Sequence, residues 1–437
     1  MKKKILALVL VIALVASLAV ALVACNPGNK NNNNNNDNSS VVNLPADYST
    51  IGDVSGKSIK VGVILIGDQN EGYSEAHIMG INTAVSEIEK AGGSVEVIWK
   101  YNVADSDAAA VKNAANELVA ANCDLIISNS YGHQDPMLEV AKANPNKTFI
   151  AMTGDKAASS GLSNYKNAFN FIFESRYVAG VVAGYKLKEL VDGGKLASNN
   201  YDENGNIKIG YVGAFNYAEV VSGYTSFYLG IKSVVSNVAM TVQYTNSWFD
   251  LDGEKNAAAN LISQGCVIIS QHADSHGAPT ACEEAFKKGT VVYSVGYNVD
   301  MREAAPSCAL TSATNDWSVY YAYAISAVMK GETVATDWAN GYNKGAVGIT
   351  TINDKAFEND YTEQIKAVVD SIHDGTLKVF DCSKFTVNGE HLTTYTNAFG
   401  MNGQECIAND NGVYYFKESV LRAAPYFDVR IDGITEL

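Results

Sequence analysis

Residues 59–66 (IKVGVILI) decide the fold, because they are apolar at nearly every position instead of at every second one. A strand buried on both faces has this pattern, and strands in parallel sheets are buried in this way by helices on either side. The motif returns 148 positions later, where residues 207–211 read IKIGY. Each copy precedes a polar loop and an amphipathic stretch with a Gly-Ile pair, at Gly80 and Gly230. The sequence therefore predicts two α/β lobes of similar topology.

Short β-branched runs alternate with amphipathic stretches along the rest of the chain, which predicts parallel sheets with covering helices. A second matching pair, residues 124–136 (DLIISNSYGHQDP) and 266–279 (CVIISQHADSHGAP), supports two similar lobes. The predicted strands are residues 60–66, 95–99, 124–128, 148–152, 208–212, 240–244, 267–270 and 291–295, and the predicted helices are residues 73–90, 107–121, 176–190, 220–235, 253–263 and 278–287.

Residues 1–24 have the parts of a secretory signal peptide: three lysines, a long apolar run and small residues before Cys25. The sequence LVAC at residues 22–25 resembles the lipobox of bacterial lipoproteins, in which the cysteine is lipidated. An uncleaved anchor with an incidental Cys25 is the alternative. Residues 25–57 are then a lipidated cysteine and an Asn-rich flexible tether. We expect a protein held by lipid on the extracytoplasmic face of the cell membrane.

Composition and charge exclude several classes of protein. Apolar residues make up 47% and charged residues 18% of the chain, which excludes a disordered protein. The net charge of −15 argues against nucleic acid as a partner. Neither a Gly-x-Gly-x-x-Gly nor a Walker-type motif for phosphate occurs. Without a Cys-x-x-Cys motif no metal or cofactor is expected, and Cys382 and Cys406 are the pair most suited to form a disulfide.

Polar loops follow the predicted strands, at the sheet edge where α/β proteins bind their ligands. These loops are rich in carboxamides, hydroxyls and aromatic rings and poor in cations, which suits a neutral, planar, hydrogen-bonding ligand. His272 and His276 have the spacing of helical metal ligands, but Gly277 and Pro279 argue against a helix there. A catalytic triad stays open, although Gly-x-Ser-x-Gly is absent. The loops are residues 67–74, 128–136, 244–250, 270–279, 296–300 and 310–317.

About residues 60–352 resemble the basic membrane protein family of substrate-binding lipoproteins, which feed ABC importers and include purine nucleoside receptors. The resemblance implies a two-lobe periplasmic-binding fold of type I, in which the chain crosses between the lobes three times and the ligand lies in the cleft. It also implies an ABC permease as partner, closure of the lobes on the ligand, and no catalysis or cofactor. It rests on residues 68–74, 173–184, 208–230, 246–259, 271–274 and 296–300, in this order.

The predicted lobes follow from that architecture. Lobe 1 comprises residues 58–175 and about 308–335, and lobe 2 comprises about 176–307 and 336–437. The region from residue 359 onward suggests strands and turns that extend lobe 2, with no function of its own.

The resemblance also implies a set of ligand-binding residues. Tyr73 and Trp248 are predicted to clamp a purine ring from the two lobes, with core packing as the alternative. Asn298 and Asn315 stand where nucleoside-binding members have charges that hold the ribose, so a free base, a modified nucleoside or another small heterocycle stays possible. The other candidates are Asp68 and Asn70 near the ring, Tyr131 as a third aromatic, His272 and Asp274 at the ring edge or as loop caps, and Ser130 and Asp250 in the same loops.

Two other functions stay open from the sequence. A sensory receptor of the same fold would pass its closed form to a signalling protein instead of a permease. A nucleoside hydrolase would need carboxylates or a metal ordered at the cleft.

Overall fold

Two mainly parallel β-sheets, each covered by helices, form the body of the chain in the computed structural model, which describes residues 39–437. The first sheet, in lobe 1, has the strand order β11-β5-β4-β3-β1-β2, and all its pairs are parallel. Its strands are β1 (Ser58–Ile64), β2 (Ser94–Lys100), β3 (Leu125–Ser128), β4 (Thr148–Met152), β5 (Tyr165–Asn170) and β11 (Asp337–Asn340).

The second sheet, in lobe 2, has the order β12-β10-β9-β8-β6-β7-β15, and β12 alone among these strands is antiparallel to its neighbour. Its strands are β6 (Ile207–Gly213), β7 (Val238–Tyr244), β8 (Ile268–Gln271), β9 (Tyr293–Tyr297), β10 (Ala309–Asn315), β12 (Val347–Ile349) and β15 (Ile434–Glu436). A separate hairpin joins β13 (Ile407–Asp410) to β14 (Val413–Phe416).

Helices connect most of these strands and cover both sheets. The helices are α1 (Ser39–Val42), α2 (Gly72–Lys90), α3 (Ala108–Ala120), α4 (Gln134–Ala143), α5 (Ala157–Ser160), α6 (Ile172–Asp192), α7 (Ala218–Lys232), α8 (Leu251–Ser263), α9 (Gly277–Lys287), α10 (Ser318–Lys330) and α11 (Thr362–His373). Tertiary contacts place α10 against α2 in lobe 1 and α6 against α7 in lobe 2.

The glycine shared by the two repeated strands has a packing reason in both lobes. A Cβ on Gly62 would lie 2.8 Å from a methyl carbon of Leu118 in α3. A Cβ on Gly210 would lie 2.8 Å from Ile269 and 3.1 Å from Leu261 in α8. Glycine therefore lets one helix approach the first strand of each lobe closely. The glycine repeated in the sequence thus corresponds to a close packing of helix on strand that is repeated in the structure. The predicted fold class is confirmed.

The predicted lobe boundaries need correction between residues 308 and 340. β10 pairs with β9 and β12 in the second sheet, so the chain enters lobe 1 only after Asn315. β11 then pairs with β5 in the first sheet, so lobe 1 continues to Asn340. β5 and β10 were not predicted because asparagine, serine and threonine interrupt their apolar runs. Several of these polar groups are bonded inside the sheets: Asn167 Nδ2 donates to the oxygen of Ala151 at 2.8 Å, and Thr311 donates to the oxygen of Thr350 at 2.7 Å.

The predicted tether ends earlier than residue 57. Val42, Ile51 and Val54 are buried in the body. Asn43 pairs with both backbone groups of Ile349, at 2.7 and 2.9 Å. The first apolar residues after the Asn-rich tract therefore dock onto the lobes. The predicted signal peptide, Cys25 and the Asn-rich part of the tether lie outside the described residues.

The structure also bears on cysteine pairing and on membrane-spanning helices. Each cysteine within residues 39–437 is a buried free thiol, so the expected Cys382–Cys406 disulfide is wrong. The two sulfurs instead contact nearby backbone oxygens, those of Phe380 and Gln404. Among the helices of the described chain, none has the length and apolar character needed to cross a bilayer.

Candidate functional site

A cavity of about 990 Å³ lies between the lobes, at the carboxyl ends of their strands. Loops of lobe 1, loops of lobe 2 and the C-terminal segment all line it. The structure brings eight of the predicted residues to this cavity, namely Asp68, Asn70, Tyr73, Ser130, Tyr131, Trp248, His272 and Asp274.

Tyr73 reaches the cavity from the first turn of α2. The Glu71 carboxylate begins this helix by accepting the backbone N–H groups of Tyr73 at 2.9 Å and Ser74 at 2.8 Å. The Tyr73 hydroxyl donates to the backbone oxygen of Asn129. With its hydroxyl bonded and its ring half-buried, Tyr73 presents an aromatic surface to the cavity.

An aromatic stack supports Tyr73 from behind. The edge of Tyr73 meets the His77 ring, with centroids 4.5 Å apart, and His77 stacks on Trp317 at 4.5 Å and 15°. His77 also bonds the hydroxyl of Tyr321 through Nδ1 at 2.5 Å. Burial lowers the pKa of His77 to about 3, so the stack is neutral at pH 7. Trp317 itself lines the cavity.

Trp248 reaches the same cavity from the loop after β7 in lobe 2. Phe215 contacts it edge-on at 5.2 Å, and Tyr217 lies 6.1 Å from it. The backbone oxygen of Trp248 accepts the N–H of Asp274 at 2.8 Å, which ties this loop to the loop after β8. Aromatic side chains from both lobes therefore line one cavity.

A buried network of charged and polar groups stands behind the lobe 2 face. Arg176 donates from Nη1 to the hydroxyl of Tyr211 at 2.7 Å, and its guanidinium lies 3.8 Å from the centre of the Tyr297 ring. His272 Nε2 lies 2.7 Å from Glu219 Oε1, and His272 Nδ1 lies 3.3 Å from the Tyr211 hydroxyl. Arg176 thus orients Tyr211, and Tyr211 orients the His272 ring toward Glu219.

The charges in this network follow from burial and from Arg176. Burial and the Arg176 charge lower the pKa of His272 to about 4, so the ring is neutral at pH 7. Burial acts to raise the pKa of Glu219, but His272 and Arg176 outweigh it and lower that pKa below its usual range. Glu219 is therefore an ionised acceptor at the cavity, with a neutral His272 donating to it.

Asp274 is the most deeply buried carboxyl that lines the cavity. Asn298 donates to its Oδ1 from Nδ2 at 2.7 Å. Burial raises the pKa of Asp274 well above its usual range, and the charges of Glu71, Glu254 and Glu219 add to the effect. This group is therefore suited to exchange a proton or a hydrogen bond with a ligand.

The remaining cavity candidates are held by their neighbours. Asp68 accepts from the backbone N–H of Asn70 at 2.9 Å, which lowers its pKa below the usual range. Ser130 donates to Asp105 at 2.8 Å, and the hydroxyl of Tyr131 donates to Asp155 at 3.3 Å.

Three predicted residues do not line the cavity. Asp250 begins α8, where its carboxylate accepts the N–H of Gly253 at 2.9 Å. Asn298 holds Asp274 from a left-handed backbone position, with φ of 63°. Asn315 is buried at the end of β10, and within the described chain its side-chain amide has no hydrogen-bond partner. His276 ends the loop before α9, so His272 and His276 do not share a helix.

Sequence reasoning did not single out many of the cavity residues, and these include two kinds that differ in the signal they leave in the sequence. Glu219 lies 148 positions after Glu71, the same offset as the repeated strands, so the repeat itself pointed to it. The second kind lies near the C-terminus, beyond any repeat, and no sequence signal indicated it. These residues are Phe399, Arg422, Ala424, Pro425, Asp428 and Arg430.

Comparisons with known proteins agree with this architecture. A sequence profile of the family described as "ABC transporter substrate-binding protein PnrA-like" (Bmp) matches residues 61–382. A Brucella abortus protein named "Purine-binding protein" is 31% identical over 352 residues, which is 79% of this chain and 91% of that protein. A Haloferax volcanii protein named "Putative ABC transporter glucose-binding protein TsgA13" is 26% identical, over 76% of this chain and 77% of its own.

Solved structures of solute-binding proteins share the fold. One from Conexibacter woesei superposes with a TM-score of 0.55 at 19% identity, covering 73% of this chain and 98% of its own. One from Aeropyrum pernix has a TM-score of 0.57 at 16% identity, covering 76% and 94%.

Proposed function

The chain belongs to the family of PnrA-like ABC transporter substrate-binding proteins, and from this premise we propose that it captures a purine base or nucleoside in the cavity between its lobes. One observation carries the proposal: Tyr73 and Trp248 line the same cavity from different lobes. A planar ring between them gains stacking on both faces, which is worth about 1–3 kcal/mol per contact. The purine-binding name of the Brucella abortus relative supports the same ligand class.

The polar groups of the cavity suit the edge of such a ring. Glu219 is an ionised acceptor, and Asp274 is a buried carboxyl beside it in the same lining. Purine rings and their exocyclic amines present N–H donors that carboxyl groups accept. The proposal therefore has the ring clamped by aromatic faces and its N–H groups held by lobe 2 carboxyls.

Transport follows from closure of the lobes. Residues from both lobes contact one ligand, so binding stabilises the closed form over the open one. In the proposal an ABC permease recognises that form, and a lipid on Cys25 holds the protein at the extracytoplasmic face of the membrane. No chemical step is involved, and a signalling protein in place of the permease is the alternative partner.

Thermal unfolding of the full chain in mild detergent tests the ligand class. Purine bases and nucleosides are compared with glucose, other sugars and amino acids, because a ligand that binds the native state raises the unfolding midpoint. We expect purines to raise it. A shift with glucose alone would instead support the ligand named for the Haloferax volcanii relative. Shifts with other solutes only would also overturn the purine proposal.

Substitution of Trp248 tests the clamp. Trp248→Ala removes one stacking face, so the Kd for the purine should rise about 5- to 150-fold, the equivalent of about 1–3 kcal/mol. Trp99→Ala is the matched control, because Trp99 stacks on Tyr101 in lobe 1 and does not line the cavity. Calorimetric titration gives both constants. An unchanged Kd in Trp248→Ala would show that this indole packs the loop and does not clamp the ligand.

A further inference from the structure

The C-terminal segment, residues 395–431, forms part of the cavity although it lies beyond the residues that match the family, which end at residue 382. It contributes aromatic, aliphatic and charged side chains to the lining. It also brings two arginines, Arg422 and Arg430, to a cavity whose lobe faces carry mainly carboxyl groups and aromatic rings.

This segment is anchored in lobe 2. The Phe427 ring stacks on Phe380 with centroids 4.2 Å apart. The buried carboxylate of Glu418 accepts the backbone N–H groups of Tyr426 at 2.9 Å and Phe427 at 2.7 Å. Its downstream end continues into β15, which pairs with β7. The segment is therefore a well-packed part of the cavity wall.

The same segment reaches lobe 1. Ala423 and Ala424 pack in one cluster with Phe169 of β5 and Tyr297 of β9. Arg422 Nη1 lies 3.9 Å from Asp155 Oδ2, within ion-pair range but beyond a hydrogen bond. Arg422 therefore stands where both lobes meet the cavity.

The guanidinium of Arg422 is oriented but keeps donor capacity. Its Nε donates to the oxygen of Ala424 at 3.1 Å, and Nη2 donates to the oxygen of Pro425 at 3.2 Å. Backbone carbonyls fix the plane without neutralising the charge, and Nη1 makes no hydrogen bond to Asp155 at 3.9 Å. Arg430 differs, because Glu436 at 3.1 Å, Asn216 and the oxygen of Asp428 already engage its guanidinium.

We propose that Arg422 determines specificity within the purines, by donating from its guanidinium to the O6 and N7 acceptors of a 6-oxopurine ring. This inference rests on the proposed function. Arginine binds the O6/N7 edge of guanine with two parallel hydrogen bonds. The adjacent edge of an oxopurine carries the N1–H donor, and in guanine also the 2-amino group, which suit the carboxyl groups of lobe 2. Adenine has an amino group in place of O6, so its donor would face the donors of Arg422.

Calorimetric titration of the full chain in mild detergent tests this preference, with guanine, hypoxanthine and adenine and their nucleosides as probes. We expect the wild-type chain to bind oxopurines about tenfold or more tighter than adenine compounds. Arg422→Gln should bring the two Kd values within about threefold by weakening oxopurine binding alone. Arg422→Lys keeps the charge but not the two-pronged geometry, so it should recover only part of the preference.

Two control variants separate specificity from folding. Arg302→Gln removes an arginine that pairs with Asp300 outside the cavity, and it should leave the Kd ratio unchanged. Tyr426→Phe removes the hydrogen bond from its hydroxyl to the Lys417 oxygen inside the segment. It should lower the unfolding midpoint of the ligand-free chain without changing the ratio.

The outcomes distinguish this inference from the proposed function. If Arg422→Gln weakens the binding of all purines equally, or leaves the ratio of the oxopurine and adenine Kd values unchanged, the role of Arg422 is overturned, but the purine-binding proposal is not. Tighter binding of adenine than of oxopurines by the wild-type chain would have the same meaning. Failure of every purine to bind the wild-type chain would overturn both.

Discussion

Glu71 and Glu219 lie 148 residues apart, each near the start of a helix in its own lobe, and both line the cavity. Glu71 turns inward to begin α2, and burial raises its pKa above the usual range. The side chain of Glu219 does not cap the start of its helix. Its Oε1 lies 2.7 Å from His272 Nε2, and its pKa is lowered below the usual range. His272 and the buried cation Arg176 therefore shift the pKa of Glu219 in the direction opposite to the shift of Glu71.

The same contrast extends to the groups behind each face. In lobe 1 a neutral His77 lies between two aromatic rings, whereas in lobe 2 His272 lies between a carboxylate and a tyrosine held by arginine. Lobe 1 therefore supports Tyr73 with a neutral aromatic stack, and lobe 2 supports Glu219 with an oriented hydrogen-bonding network. A ligand with both a ring face and polar edges uses both.

The largest expected effect comes from removing the cation of lobe 2. Arg176→Met removes two buried hydrogen bonds from a charged group, to the Tyr211 hydroxyl and the Gln271 oxygen, each worth about 1.5–3 kcal/mol. It also removes a charge that helps to lower the pKa of Glu219, so the free energy of unfolding should fall by about 3–5 kcal/mol. The pKa of Glu219 should then rise, as that of Glu71 does. Urea denaturation measures the loss, and Arg302→Met, at a surface pair, should change stability little.

A second substitution isolates the charge. Glu219→Gln added to Arg176→Met removes the uncompensated carboxylate and should restore part of the stability. If the double variant is no more stable than Arg176→Met, then the lost packing on Tyr297, and not the unpaired charge, accounts for the effect.

A smaller effect is expected where helices pack closely in the two lobes. A Cβ on Gly230 would lie 2.1 Å from the backbone oxygen of Tyr177, and one on Gly80 would lie 2.7 Å from Trp317 Cβ. Alanine at either site should cost about 1–3 kcal/mol of unfolding free energy. Gly230→Ala should cost more, because a helical carbonyl cannot move aside. Asn82→Ala, on the exposed face of α2, is the control for helix propensity, and equal losses at both glycines would contradict the ranking.

The smallest effect concerns the neutral histidine of lobe 1 and depends on pH. The unfolded chain protonates His77 below its ordinary pKa of 6.5, whereas the folded chain does so only near pH 3. The folded state therefore binds fewer protons, and its stability falls as the pH drops below 6.5. At pH 5.5 this costs about 1.4 kcal/mol, and His77→Gln should abolish that share of the loss.

Denaturation curves at pH 7.5 and 5.5 give the difference for both chains. His272, with a pKa near 4, stops contributing to the loss at a higher pH than His77. An identical pH dependence in the wild-type chain and His77→Gln would show that the folded chain protonates His77 near its ordinary pKa.

Much of the fold was accessible from local pattern. The runs that became β1, β6 and their neighbours are apolar because helices cover both faces, and this leaves a signal within a few residues. β5 and β10 gave no such signal, because polar residues interrupt their apolar runs, and side chains such as those of Asn167 and Thr311 find hydrogen-bond partners only in the folded chain. The tether boundary and the free cysteines also depended on contacts with distant residues, such as Asn43 with Ile349.

The sequence by itself determined two parallel-sheet lobes and the polar loops at their strand ends, because strand periodicity and loop chemistry are local properties. Only the tertiary structure decided that Arg422 lines the cavity beside Asp155, since these residues lie far apart in the chain. It also decided that Glu219 is ionised while His77 and His272 are neutral. Protonation depends on burial and on which charges fold within reach, and neither is written in the order of the residues.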